Sequence, residues 1–143
     1  EYQAPVEYGR SEIIRKGKKI AVLGVGSMIP SCMEICKGLK DDGYDPTFVN
    51  ARFVKPLDVD LLDELAKDHS LFVTVEENVK SGGYGEHVSA YMEACHPEIR
   101  VLSAAVWDRF VPQGNVESLR SRIGLGVEDI RQAIEDSEEL REQ

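Results

Sequence analysis

The run Ile20-Ala21-Val22-Leu23-Gly24-Val25-Gly26 constrains this chain more than any other feature: it is apolar throughout, of strand length, and passes directly into a helical pattern. A strand that alternates apolar and polar residues keeps one wet face. A strand apolar at every position must be covered on both faces, as in a parallel sheet with helices above and below it. Downstream, Met28, Cys32, Ile35, Cys36 and Leu39 recur at helical spacing, Ser27 stands where an N-cap belongs, and Asp41-Asp42-Gly43 closes the pattern with a glycine.

The same unit returns along the chain. Thr47 to Arg52 reads as a second strand, Lys55-Pro56-Leu57 as its connection, and Asp58 as the cap of a helix built on Leu61, Leu62 and Leu65. Leu71 to Glu76 is a third strand, Gly82-Gly83-Tyr84-Gly85 its turn, and Val88, Tyr91, Met92 and Cys95 the inward face of the next helix. Ile99 to Val106 supplies a further strand. The tail predicts a short helical piece over Val116 to Ile123, a break at Gly124-Leu125-Gly126, and a helix from Val127 with Ile130, Ala133 and Ile134 inward. Ahead of all this, Ser11 to Arg15 is an isolated strand closed by the Lys16-Gly17-Lys18-Lys19 turn. Parallel strands need crossovers and helices supply them, so the alternation predicts a mostly parallel, doubly wound α/β sheet.

With 143 residues the chain has the size of one domain. Residues 1–10 read as the end of an interdomain linker and 11–143 as the domain, and the absence of an initiator Met predicts that the chain is cut from something longer. The 26 Asp and Glu against 17 Lys and Arg give a net charge of −9, which repels a phosphate backbone and argues against a nucleic-acid partner. No apolar run is long enough to cross a bilayer, so no membrane partner is expected. Three cysteines, Cys32, Cys36 and Cys95, show neither the paired spacing of a zinc site nor a disulfide framework. A cytoplasmic setting follows as the expectation, with Cys32 and Cys36 acting as small buried hydrophobes.

The motifs that carry chemistry elsewhere are incomplete in this chain. Gly24-Val25-Gly26 resembles the start of a dinucleotide fingerprint, yet Ile29 stands where the third glycine belongs and the second strand ends in Asn50-Ala51-Arg52 without an acid for a ribose. A tight turn before a capped helix explains the glycines. Gly82-Gly83-Tyr84-Gly85 lacks the Lys-Ser or Lys-Thr pair of a phosphate loop, which leaves close approach of backbones as its reading. Glu76 and Glu77 end the third strand, where open α/β sheets place ligand groups, and adjacent strand residues point to opposite faces. One is expected to face a neighbouring domain while the other caps the loop. His69, His87 and His96 are scattered and read as surface or helix-edge residues. Arg52, Lys55, Arg109 and Phe110 follow strands, which suits an interface better than a substrate site, and Trp107 beside Asp108 reads as a partly buried anchor that serves either the domain core or a contact between domains.

Four segments in order carry a family resemblance. Val49-Asn50-Ala51-Arg52-Phe53-Val54-Lys55-Pro56-Leu57-Asp58 is similar to the matching stretch of 1-deoxy-D-xylulose-5-phosphate synthases, and its Pro-Leu-Asp ending is shared more widely by transketolase-like C-terminal domains. Val73-Thr74-Val75-Glu76-Glu77-Asn78, Gly82-Gly83-Tyr84-Gly85, and Asp108-Arg109-Phe110-Val111-Pro112-Gln113-Gly114 with the trailing Ile123-Gly124-Leu125 agree with it in spacing. One departure is Ala105-Val106-Trp107-Asp108, where relatives carry Gly-Ile-Pro-Asp or similar.

The resemblance implies a three-layer α/β/α domain with a five-stranded, mostly parallel mixed sheet and one antiparallel edge strand, the segment from Glu12 to Arg15. It further implies a parent enzyme whose upstream pyrimidine-binding and diphosphate-binding domains hold thiamine diphosphate and Mg²⁺. Such a transferase condenses pyruvate with glyceraldehyde 3-phosphate, releases CO₂ and feeds isoprenoid, thiamine and pyridoxal biosynthesis. The Gly-Asp-Gly motif followed by Asn and the domain bearing the activating Glu are absent from this sequence, so no catalytic, cofactor or metal residue is carried over. What carries over is a scaffold role against the upstream domains and across a homodimer. The candidate interface set is Arg52, Phe53, Lys55, Glu76, Glu77, Trp107, Asp108, Arg109 and Phe110. Rival readings are the C-terminal domain of a transketolase or of an oxo-acid dehydrogenase β chain and, from another class, a free-standing anion-binding or dimerisation module using the turn from Gly24 to Ser27.

Overall fold

The computed structural model describes residues 10–51, 57–77, 83–106 and 127–142. Its elements run β1 (Glu12–Arg15), β2 (Lys19–Gly24), a 3-10 turn (Gly26–Met28), α1 (Ile29–Asp41), β3 (Thr47–Asn50), α2 (Val59–Ala66), β4 (His69–Glu77), α3 (Tyr84–Cys95), β5 (Arg100–Val106) and α4 (Val127–Glu142). The five strands lie in the order β1-β3-β2-β4-β5. All neighbouring pairs are parallel except β1 with β3, so the antiparallel edge strand is where the resemblance placed it.

The chain moves from β2 to β3 in one direction, jumps back over β2 to β4, and continues to β5. Right-handed crossovers therefore set α1 on one face of the sheet and α2 and α3 on the other. One core joins Ile20, Val22, Phe48, Leu71, Val73 and Val75 of the strands to Cys32, Ile35, Cys36 and Leu39 of α1 and to Ile130 and Ile134 of α4. The other joins Ala21, Leu23, Val49 and Phe72 to Leu62 and Leu65 of α2 and to Tyr84, Val88 and Met92 of α3. The apolar run of the sequence is thus the central strand, split residue by residue between two cores. Each fully buried Leu or Ile in them contributes about 1.5–3 kcal/mol over an exposed one.

Local readings hold at most positions and fail at three. Asp58 caps α2 by accepting the Leu61 amide at 3.2 Å, and α1 ends before Gly43 at φ 99°. Ser27 is not the cap of α1: the 3-10 turn intervenes, Met28 takes the N-cap position with no side-chain bond, and Pro30 stands within the first turn. Gly24 is required by close approach, since a Cβ there would lie 2.6 Å from the Cys32 sulfur. Cys95 and Ala133, expected inward, are exposed, because each lies to the side of the stripe that its helix buries. The short helical piece expected over Val116 to Ile123 and the Gly124-Leu125-Gly126 break lie outside the described residues.

His69 corrects the reading of the histidines as surface residues. It is buried at the amino end of β4, with Nε2 2.7 Å from the Thr47 hydroxyl and Nδ1 facing two acceptors, the Leu65 carbonyl at 2.8 Å and Asp68 Oδ1 at 2.7 Å. Two acceptors on one nitrogen require that Nδ1 carries the proton. The Gly17 amide donates to the same Thr47 oxygen at 2.8 Å, so this cluster ties the turn after β1 to β3, α2 and β4. Burial alone would raise the Asp68 carboxyl, but the hydrogen bond and charge of His69, followed by Lys16, hold it below its ordinary value.

Candidate functional site

Because β2 to β5 run parallel, their carboxyl ends share one edge of the sheet, and the reversal of winding between β2 and β4 falls there. Open α/β sheets place their ligands at such an edge. Two backbone bonds continue the sheet just past the strand ends: the Val25 amide donates to the Val75 carbonyl at 3.1 Å, and the Ala51 amide to the Gly24 carbonyl at 2.8 Å.

Glu76 is the central side chain of this edge. Strand alternation puts Phe72, Thr74 and Glu76 on the face that α2 and α3 cover. Helix α3 begins after Gly83, which has no side chain with which to cap it, so the first-turn amides lack a partner from their own helix. The Glu76 carboxylate supplies one, with Oε1 accepting the Tyr84 amide and Oε2 the Gly85 amide, both at 2.9 Å. The residue is 8% exposed. A negative group there also meets the positive end of the helix dipole.

Gly85 makes the seating possible. A Cβ on it would stand 2.7 Å from Thr74 Oγ1, 2.8 Å from Glu76 Oε2 and 3.0 Å from Ser103 Oγ, so three oxygens crowd one backbone position. Close approach of backbones is what this glycine serves. Among the described residues the fully buried Thr74 hydroxyl has no hydrogen-bond partner, and neither has the buried Nε2 of His87. Burial first, then the negative charges of Asp58 and Glu76, push the Tyr84 phenol up.

Asp58 does more than cap. Its Oδ2 also accepts the Ser11 amide at 2.7 Å while the Ser11 hydroxyl donates to the Ala51 carbonyl at 3.1 Å, which fastens the entry to β1 onto the end of β3. Beside it an open groove of about 450 Å³ is lined by Arg10, Ser11, Ile13, Asp58 and Leu61, with Arg10 paired to Asp60 at 3.0 Å across it.

Of the candidate interface residues, Glu76 is turned inward as the helix cap. Glu77 ends β4 opposite Val106 of β5. Arg52, Phe53, Lys55, Trp107, Asp108, Arg109 and Phe110 lie outside the described residues, although the strands that precede them, β3 and β5, end at this same edge. Sequence reasoning missed Thr74 and Ser103 as neighbours of Gly85. The available signal was alternation, which puts every second residue of β4 on the face that α3 must cover.

Burial, helped by the neighbouring Cys36, pushes the Cys32 thiol up to about 12. Burial likewise pushes Cys36 up to about 12 against the opposing charges of Arg15 and Lys40. Both are inert as nucleophiles near neutral pH. On the outside of the α2–α3 layer Asp63 Oδ1 accepts from His96 Nε2 and from the Tyr91 hydroxyl, each at 2.7 Å, and these bonds, His96 first, hold its carboxyl below the ordinary value.

Among the described residues no three His, Cys, Asp or Glu side chains stand together as metal ligands. The amides of α3 that would suit a diphosphate are taken by Glu76. Those two amides are therefore not available to a diphosphate. No helix among the described residues is long and apolar enough to cross a membrane.

Fold and edge together define a three-layer α/β/α domain whose sheet carries one reversed edge strand. Residues 9–130 match the model of the transketolase C-terminal domain, and the chain belongs to that family. It is 40% identical over 129 residues to a 1-deoxy-D-xylulose-5-phosphate synthase of Dictyoglomus thermophilum, covering 90% of this chain and 21% of the relative. With a synthase of the same name from Lachnoclostridium phytofermentans it shares 38% over 131 residues, covering 91% and 21%. The chain thus spans about a fifth of the length of these relatives. A solved split-gene transketolase, an inactive β4 tetramer, superposes with a TM-score of 0.77 at 28% identity, covering 93% of this chain and 43% of that one.

Proposed function

We propose that this chain is the C-terminal scaffold and dimer-contact domain of a thiamine-diphosphate-dependent 1-deoxy-D-xylulose-5-phosphate synthase. The observation that carries the reading is identity of 38–40% over nine-tenths of the chain with synthases of that name. In the parent, thiamine diphosphate and Mg²⁺ belong to the upstream domains and supply the electron sink for decarboxylating pyruvate. The resulting two-carbon unit joins glyceraldehyde 3-phosphate. This domain contributes no reacting group and holds the upstream domains and the second subunit in register, in the cytoplasm. Arg52, Phe53, Lys55, Glu77, Trp107, Asp108, Arg109 and Phe110 form the contact surface in this proposal, and the inward-facing Glu76 supports the edge beneath them. Residues 1–10 lead in from the preceding domain and residues 11–143 make up the scaffold.

The test is CO₂ release from pyruvate by the full-length parent with thiamine diphosphate and Mg²⁺, with and without glyceraldehyde 3-phosphate. Strong dependence on the aldehyde and a phosphorylated five-carbon ketose as product are expected. Transfer of a two-carbon unit from a ketose phosphate instead would favour a transketolase, the second reading that the likeness to the split-gene enzyme keeps open.

A further inference from the structure

We propose that Glu76 is a built-in anion, occupying the oxyanion site at the amino end of α3 and closing this edge of the sheet to phosphate-bearing ligands. The inference concerns this chain alone and does not depend on the parent's activity. A strand that ends at a topological switch point and leads into a helix offers unpaired amides and a positive dipole to an anion. Here both leading amides, of Tyr84 and Gly85, already point at carboxylate oxygens at 2.9 Å. The geometry of the remaining groups is that of an anion cradle. Thr74 is fully buried, its hydroxyl unpartnered among the described residues, and that hydroxyl, Glu76 Oε2 and Ser103 Oγ converge on Gly85 within 3.0 Å of where its Cβ would be. Hydroxyls and amides that converge on a glycine suit a tetrahedral oxyanion such as phosphate. The chain fills this place with its own side chain.

Removing the carboxylate should uncover the site. In Glu76→Ala the two amides and the Thr74 hydroxyl are left facing a vacated space, and inorganic phosphate should raise the unfolding temperature by about 3 °C over chloride at equal ionic strength. The unsubstituted chain should show only the general salting effect of phosphate, which any folded protein shares. Adding Thr74→Val to Glu76→Ala should reduce the phosphate response. A phosphate rise in the unsubstituted chain equal to that in a folded Glu76→Ala overturns the proposal. Should Glu76→Ala not fold, Glu76→Gln keeps the shape while turning an NH₂ toward one of the two amides. Amide hydrogen exchange then decides: Tyr84 and Gly85 should be protected in the unsubstituted chain, and one of them should exchange at least ten-fold faster in Glu76→Gln. Equal protection in both proteins would mean that the carboxylate is not what holds the helix end.

Discussion

The two ends of the sheet treat buried polar groups differently. At the amino end Thr47, His69 and Gly17 form a closed set in which each ring nitrogen and the hydroxyl meet a partner within 2.8 Å. On the outside of that end Asp63, Tyr91 and His96 clasp α2 to the last turn of α3. At the carboxyl end a carboxylate caps a helix terminus while Thr74 Oγ1 and His87 Nε2 are buried without partners among the described residues. A buried polar atom left unpaired costs stability, so a fold tends to keep one only near a place where something other than folding is served. The amino end is built for stability, and the carboxyl end is where this chain departs from it.

The sharpest way to break this comparison is to make one substitution at both ends. Thr47→Val removes the acceptor of the part-buried Gly17 amide and the partner of the buried His69 Nε2, and should cost about 3 kcal/mol in urea unfolding. Thr74→Val removes a hydroxyl that has no partner among the described residues, and should range from neutral to about 1 kcal/mol stabilising. If both cost the same, the two ends do not differ as described. Gly85→Ala tests the crowding at the carboxyl end: its Cβ meets three oxygens at 2.7–3.0 Å, and a loss of about 2 kcal/mol is expected in the same assay.

The smallest effect belongs to the exposed clasp. The Asp63 carboxyl is held below its ordinary value, so its contribution is present above the unfolded carboxylate pKa of about 3.9 and fades as pH falls through the lower folded value. His96→Ala should raise the Asp63 titration midpoint followed by NMR. The difference in unfolding midpoint between that variant and the unsubstituted chain should vanish at pH values below that range. A midpoint that does not move would detach His96 from Asp63.

Much of the fold was legible because its signals are local. The apolar run from Ile20, the helical spacing of Met28, Cys32, Ile35, Cys36 and Leu39, and the Asp58 cap depend on neighbours within a few residues, and all appear where expected. Cys95 and Ala133 misled because spacing defines the width of a helical stripe only loosely; what covers its margin depends on the packing partner. Ser27 misled because the 3-10 turn shifts the start of α1 past it, a choice made by Gly26 at φ 54°.

The site divides in the same way. That Glu76 and Glu77 stand at the carboxyl end of a strand and that the Gly82 to Gly85 turn serves close approach were readable in sequence. That the carboxylate of one reaches the amide of the other, with Thr74 and Ser103 beside them, depended on how far α3 settles onto β4 and β5. The burial of His69 likewise depended on three segments distant in sequence meeting at one edge. By itself the sequence determined alternation, faces and caps, since these follow from periods of two and 3.6 residues along one segment. Only the tertiary structure decided which polar groups found partners, because a hydrogen bond within 3 Å is set by the docking of whole elements and by no pattern within either of them.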